Sequence, residues 1–132
     1  MNKTEQGFTL IEIIAVLLIL GIILLVAVQK YQNVANQARL SAAQSAIAEI
    51  KGRLSSAQAK YMLVNRIVPT SLQLYDYAIS SNAFRSAANL RNVGTDFTLA
   101  LTRATPIRIT VSRVRNITLT PSVVGTFRAA GG

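Results

Sequence analysis

The chain has no cysteine, no histidine and no tryptophan, and only five acidic residues among 132. Without cysteine or histidine there is no thiol nucleophile, no disulfide, no imidazole- or thiolate-bound zinc and no Ser-His-Asp triad. Five scattered carboxylates leave little for a hard-metal cage or a paired general acid and base. These absences argue against an enzyme, and they imply neither a cofactor nor a resident metal. The lack of cysteine does not fix a compartment, since an exported protein need not use disulfides.

What is present is apolar surface and positive charge. The sequence is 51% hydrophobic, has a mean hydropathy of +0.38 and carries a formal charge of +9. The apolar residues are concentrated. Ile13 to Gln29 run without a charge, and all but Gly21 and Gln29 are apolar. With Phe8 to Ile11 in front, the segment approaches the roughly 20 residues that cross a bilayer. Beyond Val28, 48 of the remaining 104 residues are apolar, an ordinary proportion for a soluble domain. The sequence therefore divides into one membrane-type segment and one domain of about a hundred residues.

Three readings compete for the first thirty residues. A secretory signal peptide has an apolar core of about 7–15 residues followed by a small-residue cleavage site. Here the core is longer, Glu12 sits in its start, and Val26-Ala27-Val28 is a poor site. A plain signal anchor fits the length and leaves Glu12 unexplained. A charge at the centre of a membrane helix costs about 2.5–3.5 kcal/mol on insertion scales. Glu12 lies nearer the edge, where the cost is smaller, yet such a residue is a functional candidate by default.

The third reading rests on Lys3-Thr4-Glu5-Gln6-Gly7-Phe8-Thr9-Leu10-Ile11-Glu12. This stretch resembles the N-terminus of type IV pilins and pseudopilins, and the likeness covers roughly residues 3–32. The resemblance implies a short charged leader, residues 1–7, cut between Gly7 and Phe8 by a membrane prepilin peptidase. The same enzyme would methylate the new amine of Phe8. Glu12, fifth in the mature chain, matches the family's membrane-embedded glutamate, and Gly21 matches a glycine common midway along the span. Tyr31-Gln32 matches a pair often found just beyond it. Many pilins carry a proline where this chain has Gln29, so a proline-induced break is absent here. Any loosening of the helix near Gly21 rests on glycine's propensity, about 1 kcal/mol below alanine. The implied orientation, N-terminus in the cytoplasm, comes from the resemblance and not from the few flanking charges.

The residues themselves supply a rationale. Gly7 has no side chain to shield the scissile bond or continue a helix. Cleavage would leave a cationic amine on Phe8, and Glu12 could pair with it where an unpaired carboxylate is costly. The partner is either the amine of the same chain, one helical turn away, or that of the next subunit, as the family's assembly model favours. In the second case Glu12 sets the register between subunits.

The helix is expected to continue past the span. Gln29 to Lys60 contains no proline and one glycine, and Leu40, Ala43, Ile47, Ile50, Leu54, Ala57 and Tyr61 recur at spacings of three and four. That is one apolar stripe, suited to packing on later strands, or less readily to a coiled coil. From Phe8 to Tyr61 the helix would measure about 80 Å at 1.5 Å per residue. Val68-Pro69-Thr70-Ser71 is the expected break. Leu72 to Ala78 suggests a helical turn, and Ser81 or Asn82 a cap for a short helix through Leu90, ending near Gly94. Alternation then predicts strands with Phe97, Leu99 and Leu101, with Ile107, Ile109 and Val111, and with Ile117 and Leu119 on one face. Val123 to Phe127 is a candidate further edge, and residues 128–132 read as a loose tail. The predicted fold is α+β, a long N-terminal helix packed on a small C-terminal antiparallel sheet. Its parts are a leader (1–7), a membrane or filament-core helix (8–29), an amphipathic continuation (30–61), a linker with short helices (62–94) and a head with its tail (95–132).

Residues 62–132 hold eight arginines and no lysine, against Asp76 and Asp96. Arg108 alternates with an apolar face and should be exposed, with Arg113 and Arg115 near the following turn. Such a basic patch suits anionic surfaces or DNA phosphates, or a solvated outer face. No aromatic interleaving supports nucleic-acid readout. The resemblance implies a non-enzymatic pilus subunit that homo-polymerises with other pilin subunits. Its other expected partners are the prepilin peptidase and an inner-membrane assembly platform, and it would pass from the inner membrane to a surface filament for adhesion, motility or uptake. The alternatives are a pseudopilin of a type II secretion or DNA-uptake machine and a membrane-tethered, nucleic-acid-binding minor pilin.

Overall fold

The computed structural model describes residues 7–80 and 82–132. The leader residues 1–6 and Ser81 lie outside the described residues. Helix α1 spans Leu10–Asn65 without interruption, through Gly21, Gln29 and Gly52. The chain forms two compact units, Met1–Ala38 and Arg39–Gly132. In the first, none of the described residues is buried.

In the second unit α1 buries Ala43, Ala46, Ile47, Ile50, Leu54 and Ala57. The predicted stripe is therefore real, with its ends corrected. Leu40 is 43% exposed, one turn short of the packed stretch. Tyr61 is half-buried and meets Tyr77 edge-to-face at 5.1 Å. The helix ends before the expected Pro69 break. Arg66 adopts a left-handed φ of 56°, its N–H still donating to the Met62 carbonyl at 2.9 Å, so it acts as the residue that turns the chain out of the helix.

Helix α2, Ser71–Ile79, starts at a capping box. The Thr70 hydroxyl accepts from the Gln73 N–H, and the Gln73 side chain accepts from the Thr70 N–H at 3.0 Å. This pairing satisfies two otherwise orphaned donors. Ser71, Leu74 and Ala78 form its buried face. Helix α3 is shorter than predicted, Ala87–Arg91, and Ser86 caps it by accepting from the Asn89 N–H at 3.1 Å. Asn82 is not its cap: Arg85 has a φ of 66° and separates the two.

Three strands follow, β1 (Phe97–Thr102), β2 (Ile107–Val114) and β3 (Ile117–Phe127), in the antiparallel order β1-β2-β3. Pro106 stands just before β2, where a missing N–H costs the ladder nothing. The β2–β3 connection is a two-residue turn at Arg115-Asn116, both with positive φ (48° and 64°), as a type I′ hairpin requires. Leu99, Ile107, Ile109, Val111 and Val114 are buried in one core with Ile47, Ile50, Leu54, Leu74 and Leu90. Each such side chain contributes about 1.5–3 kcal/mol relative to exposure.

Two expectations are corrected here. Val123–Phe127 is not a further strand; it continues β3 beyond an irregularity in which residues 119–122 stand opposite Ser112 alone. Pro121 falls inside that irregularity, where no ladder bond is lost. Nor is the C-terminal stretch loose. Ala129 is buried and donates its N–H to Ser71 Oγ at 3.2 Å. The Ala130 N–H bonds Gln58 Oε1 at 3.3 Å, the Gly131 N–H bonds the Pro69 carbonyl at 3.1 Å, and the Ser71 N–H bonds the Gly132 carbonyl at 2.9 Å. Backbone groups with no side-chain signature thus tie the chain end to the start of α2.

Candidate functional site: the N-terminal motif

Gly7, Phe8 and Thr9 are not helical, and α1 begins at Leu10. The reason is local chemistry at Thr9-Leu10-Ile11-Glu12. Glu12 Oε2 accepts from the Thr9 N–H at 2.8 Å and from the Thr9 hydroxyl at 2.9 Å, while the Glu12 N–H reaches Thr9 Oγ1 at 3.4 Å. The Thr9 carbonyl takes the first helical bonds, from the N–H groups of Glu12 (3.1 Å) and Ile13 (3.2 Å). This is a capping box, with the carboxylate placed on the positive end of the helix dipole. The T-x-x-E spacing was the available signal for Thr9, and the sequence reading passed over it. The Gly7–Phe8 bond consequently lies outside the helix, two residues before its first turn.

Behind this cap, fifteen Leu, Ile and Val side chains between Leu10 and Val28 are 48–78% exposed. Covering one such side chain is worth about 1.5–3 kcal/mol, so leaving all of them in water costs on the order of tens of kcal/mol. That exceeds the whole stability of an ordinary domain. The segment has a mean hydropathy of 3.2 over its 18-residue window, long and apolar enough to cross a membrane, which is consistent with membrane anchoring. Gly21 lies within it, and a Cβ built there meets nothing. The chain's own packing therefore gives no reason for glycine at that position.

The three arginines singled out in the head are not brought into one group. Arg108 and Arg113 stand on β2, exposed, on the face opposite the core. Arg115 sits in the β2–β3 turn, where its N–H donates to the Asp96 carbonyl at 2.7 Å and its Nε is 3.7 Å from Asp96 Oδ2. A closer ion pair lies elsewhere in the head. Arg103 grips Asp76 with two bonds, Nε to Oδ1 at 2.8 Å and Nη2 to Oδ2 at 2.7 Å. That fork holds the Asp76 carboxyl below its ordinary range and raises Arg103. Arg53 bonds Glu49 at 3.0 Å and also donates to the carbonyls of Asn89 and Leu90, tying α1 to the end of α3.

Comparison with known proteins bears on the N-terminal motif. Residues 2–28 match the family described as the prokaryotic N-terminal methylation motif. No curated protein and no solved structure matches the chain. The match spans the Gly7–Phe8 bond, the Thr9–Glu12 cap and the apolar run to Val28, so residues 2–28 are a prepilin-type N-terminus, the hallmark of type IV pilins and pseudopilins.

Proposed function

We propose that this chain is a structural subunit of a type IV pilus, cut after Gly7, methylated on Phe8, and polymerised through α1. The observation that carries the proposal is the joining of an exposed Gly7–Phe8 bond, a capped Glu12 and a wholly exposed apolar helix to a separately packed head. Hydrolysis of the Gly7–Phe8 amide places a carboxylate on Gly7 and an amine on Phe8. N-methylation keeps that nitrogen cationic. In the membrane the Glu12 carboxylate is satisfied by Thr9. In the filament it would exchange those bonds for the amine of the next subunit, and neighbouring helices would replace lipid around Leu10–Val28. A homo-polymer of this kind passes from inner membrane to cell surface with its apolar segment covered at every stage.

The test is electron microscopy of sheared surface material together with mass spectrometry of the mature N-terminus. The expected result is long filaments of a chain beginning at methylated Phe8. Glu12→Val should be cut normally and fail to assemble. A mature chain starting elsewhere, or normal filaments from Glu12→Val, overturns the reading. Processed chain confined to short periplasmic fibres would instead indicate a secretion pseudopilin.

A further inference from the structure

The sheet has a second face, turned away from α1, and its register arranges charge and hydroxyl groups in a pattern. Arg108 pairs with Thr102 on β1 and Thr126 on β3, and Arg113 pairs with Thr98 on β1 and Thr118 on β3. All six are exposed. Each arginine is therefore the centre of a Thr–Arg–Thr row, its neighbours about 4.5–5.5 Å away on either side. The row between them is centred on Thr110 and carries no charge.

Among the described residues, no acidic side chain is paired with Arg108 or Arg113. Glu49, Asp76 and Asp96 each face another arginine: Arg53, Arg103 and Arg115. The strands also bring no described aromatic side chain to it, because Phe97 and Phe127 alternate onto the core side. Stacking of unpaired bases thus has no platform. What the face does offer is a guanidinium fork, which matches a carboxylate with two parallel bonds. Threonine hydroxyls beside it both donate and accept, as the hydroxyls of a sugar do. The two forks are five residues apart on one strand, about 16 Å at 3.3 Å per residue, less what the bulge at Ser112 takes up. A single sugar cannot reach both. A linear chain can, and two-point attachment raises its affinity over that of one unit.

We propose that the outer face of the sheet binds a linear acidic polysaccharide, its carboxylates on Arg108 and Arg113 and its hydroxyls on the flanking threonines. The proposal holds for any chain that presents this head and does not depend on filament formation.

The test is binding of the full-length chain in detergent, at about 0.15 M salt, to polygalacturonate, neutral dextran and duplex DNA of equal charge. Polygalacturonate should bind more tightly than DNA, dextran should not bind, and free galacturonate should compete poorly. Arg108→Gln with Arg113→Gln should weaken binding about tenfold or more, the scale of one charge-assisted hydrogen bond. Arg66→Gln with Arg85→Gln removes the same charge from outside the three strands and should change it by no more than about twofold. Thr118→Val with Thr126→Val keeps every charge and should cost about threefold. Arg108→Lys with Arg113→Lys keeps charge without the fork and should be intermediate, which separates recognition from any folding defect in the glutamine pair. Equal losses from the two arginine pairs, no effect of the threonine pair, preferential DNA binding or no polygalacturonate binding would each overturn the proposal.

Discussion

Gly125→Ala tests how tightly β3 is seated on the long helix. Gly125 pairs with Ile109 on the core side of the sheet, and its backbone has no positive φ that would call for glycine. Its reason is space: a Cβ built there runs into Ile47 Cγ2, with Ile47 Cδ1 and Cβ at 3.5 and 3.6 Å. Ile47 is 6% exposed and β-branched, so the offending methyl is fixed to a carbon next to the helix backbone and cannot swing aside. Overpacking of this kind costs about 1–3 kcal/mol. For a head of this size that lowers Tm by about 4–8 °C for each kcal/mol. The assay is thermal unfolding of the full chain in detergent, followed by the near-ultraviolet circular dichroism of Tyr61, Tyr75 and Tyr77, which leaves the span silent. Ile47→Leu removes Cγ2 at nearly constant volume and should cost less than about 1.5 kcal/mol by itself. Combined with Gly125→Ala it should recover part of the loss, a non-additivity of about 0.5 kcal/mol or more in the double-mutant cycle. If Gly125→Ala alone lies within about 0.5 kcal/mol of the parent, or if the two changes simply add, the argument for this contact fails.

Two further outcomes follow from contacts in the head. Ser71→Ala leaves the buried Ala129 N–H without its acceptor, a loss of about 1–3 kcal/mol, and hydrogen exchange at Ala129 should accelerate while the Thr70–Gln73 cap keeps α2 intact. The Asp76–Arg103 fork lowers the folded carboxyl below its unfolded value of about 3.9, so its stabilisation is present above that pH and is lost as pH falls through the depressed value. Both partners are about half exposed, which keeps the effect small. In acid titrations monitored by unfolding, Asp76→Asn should flatten the limb below about pH 4, and an unchanged limb would refute the linkage.

What was readable in the sequence was whatever apolar side chains repeat at a fixed spacing. Ala43, Ile47, Ile50, Leu54 and Ala57 declared the buried helix face, and Phe97, Leu99, Ile107, Ile109 and Val111 the inner sheet face. Ala46 was missed because it falls off the alternating spacing of four and three that runs 43, 47, 50, 54, 57, although it sits one turn before Ile50. Leu40 was included because spacing alone cannot say where the partner surface stops. The chain end was misread for another reason: Ala129 to Gly132 are held through backbone N–H and C=O groups, which no side-chain pattern reveals. At the N-terminus, Gly7, Phe8 and Glu12 were legible as a motif. The role of Thr9 was equally written in the T-x-x-E spacing, as was that of Thr70 in T-x-x-Q, and both went unread. The Thr–Arg–Thr rows could not be foreseen, since they exist only once the register of three strands is fixed.

The break in β3 has a consequence for how these molecules can meet. An eleven-residue edge strand would ordinarily invite another strand to pair with it, and identical proteins held at high density are the worst case for such mispairing. Residues 119–122, with Pro121 among them, cut that edge into two short stretches. The opposite edge, β1, is six residues long and shifts register between Thr98 and Leu99. Two heads pressed side by side find no continuous ladder to extend, which blunts both edges against strand pairing. In the filament proposed above, association falls instead to the apolar run of α1.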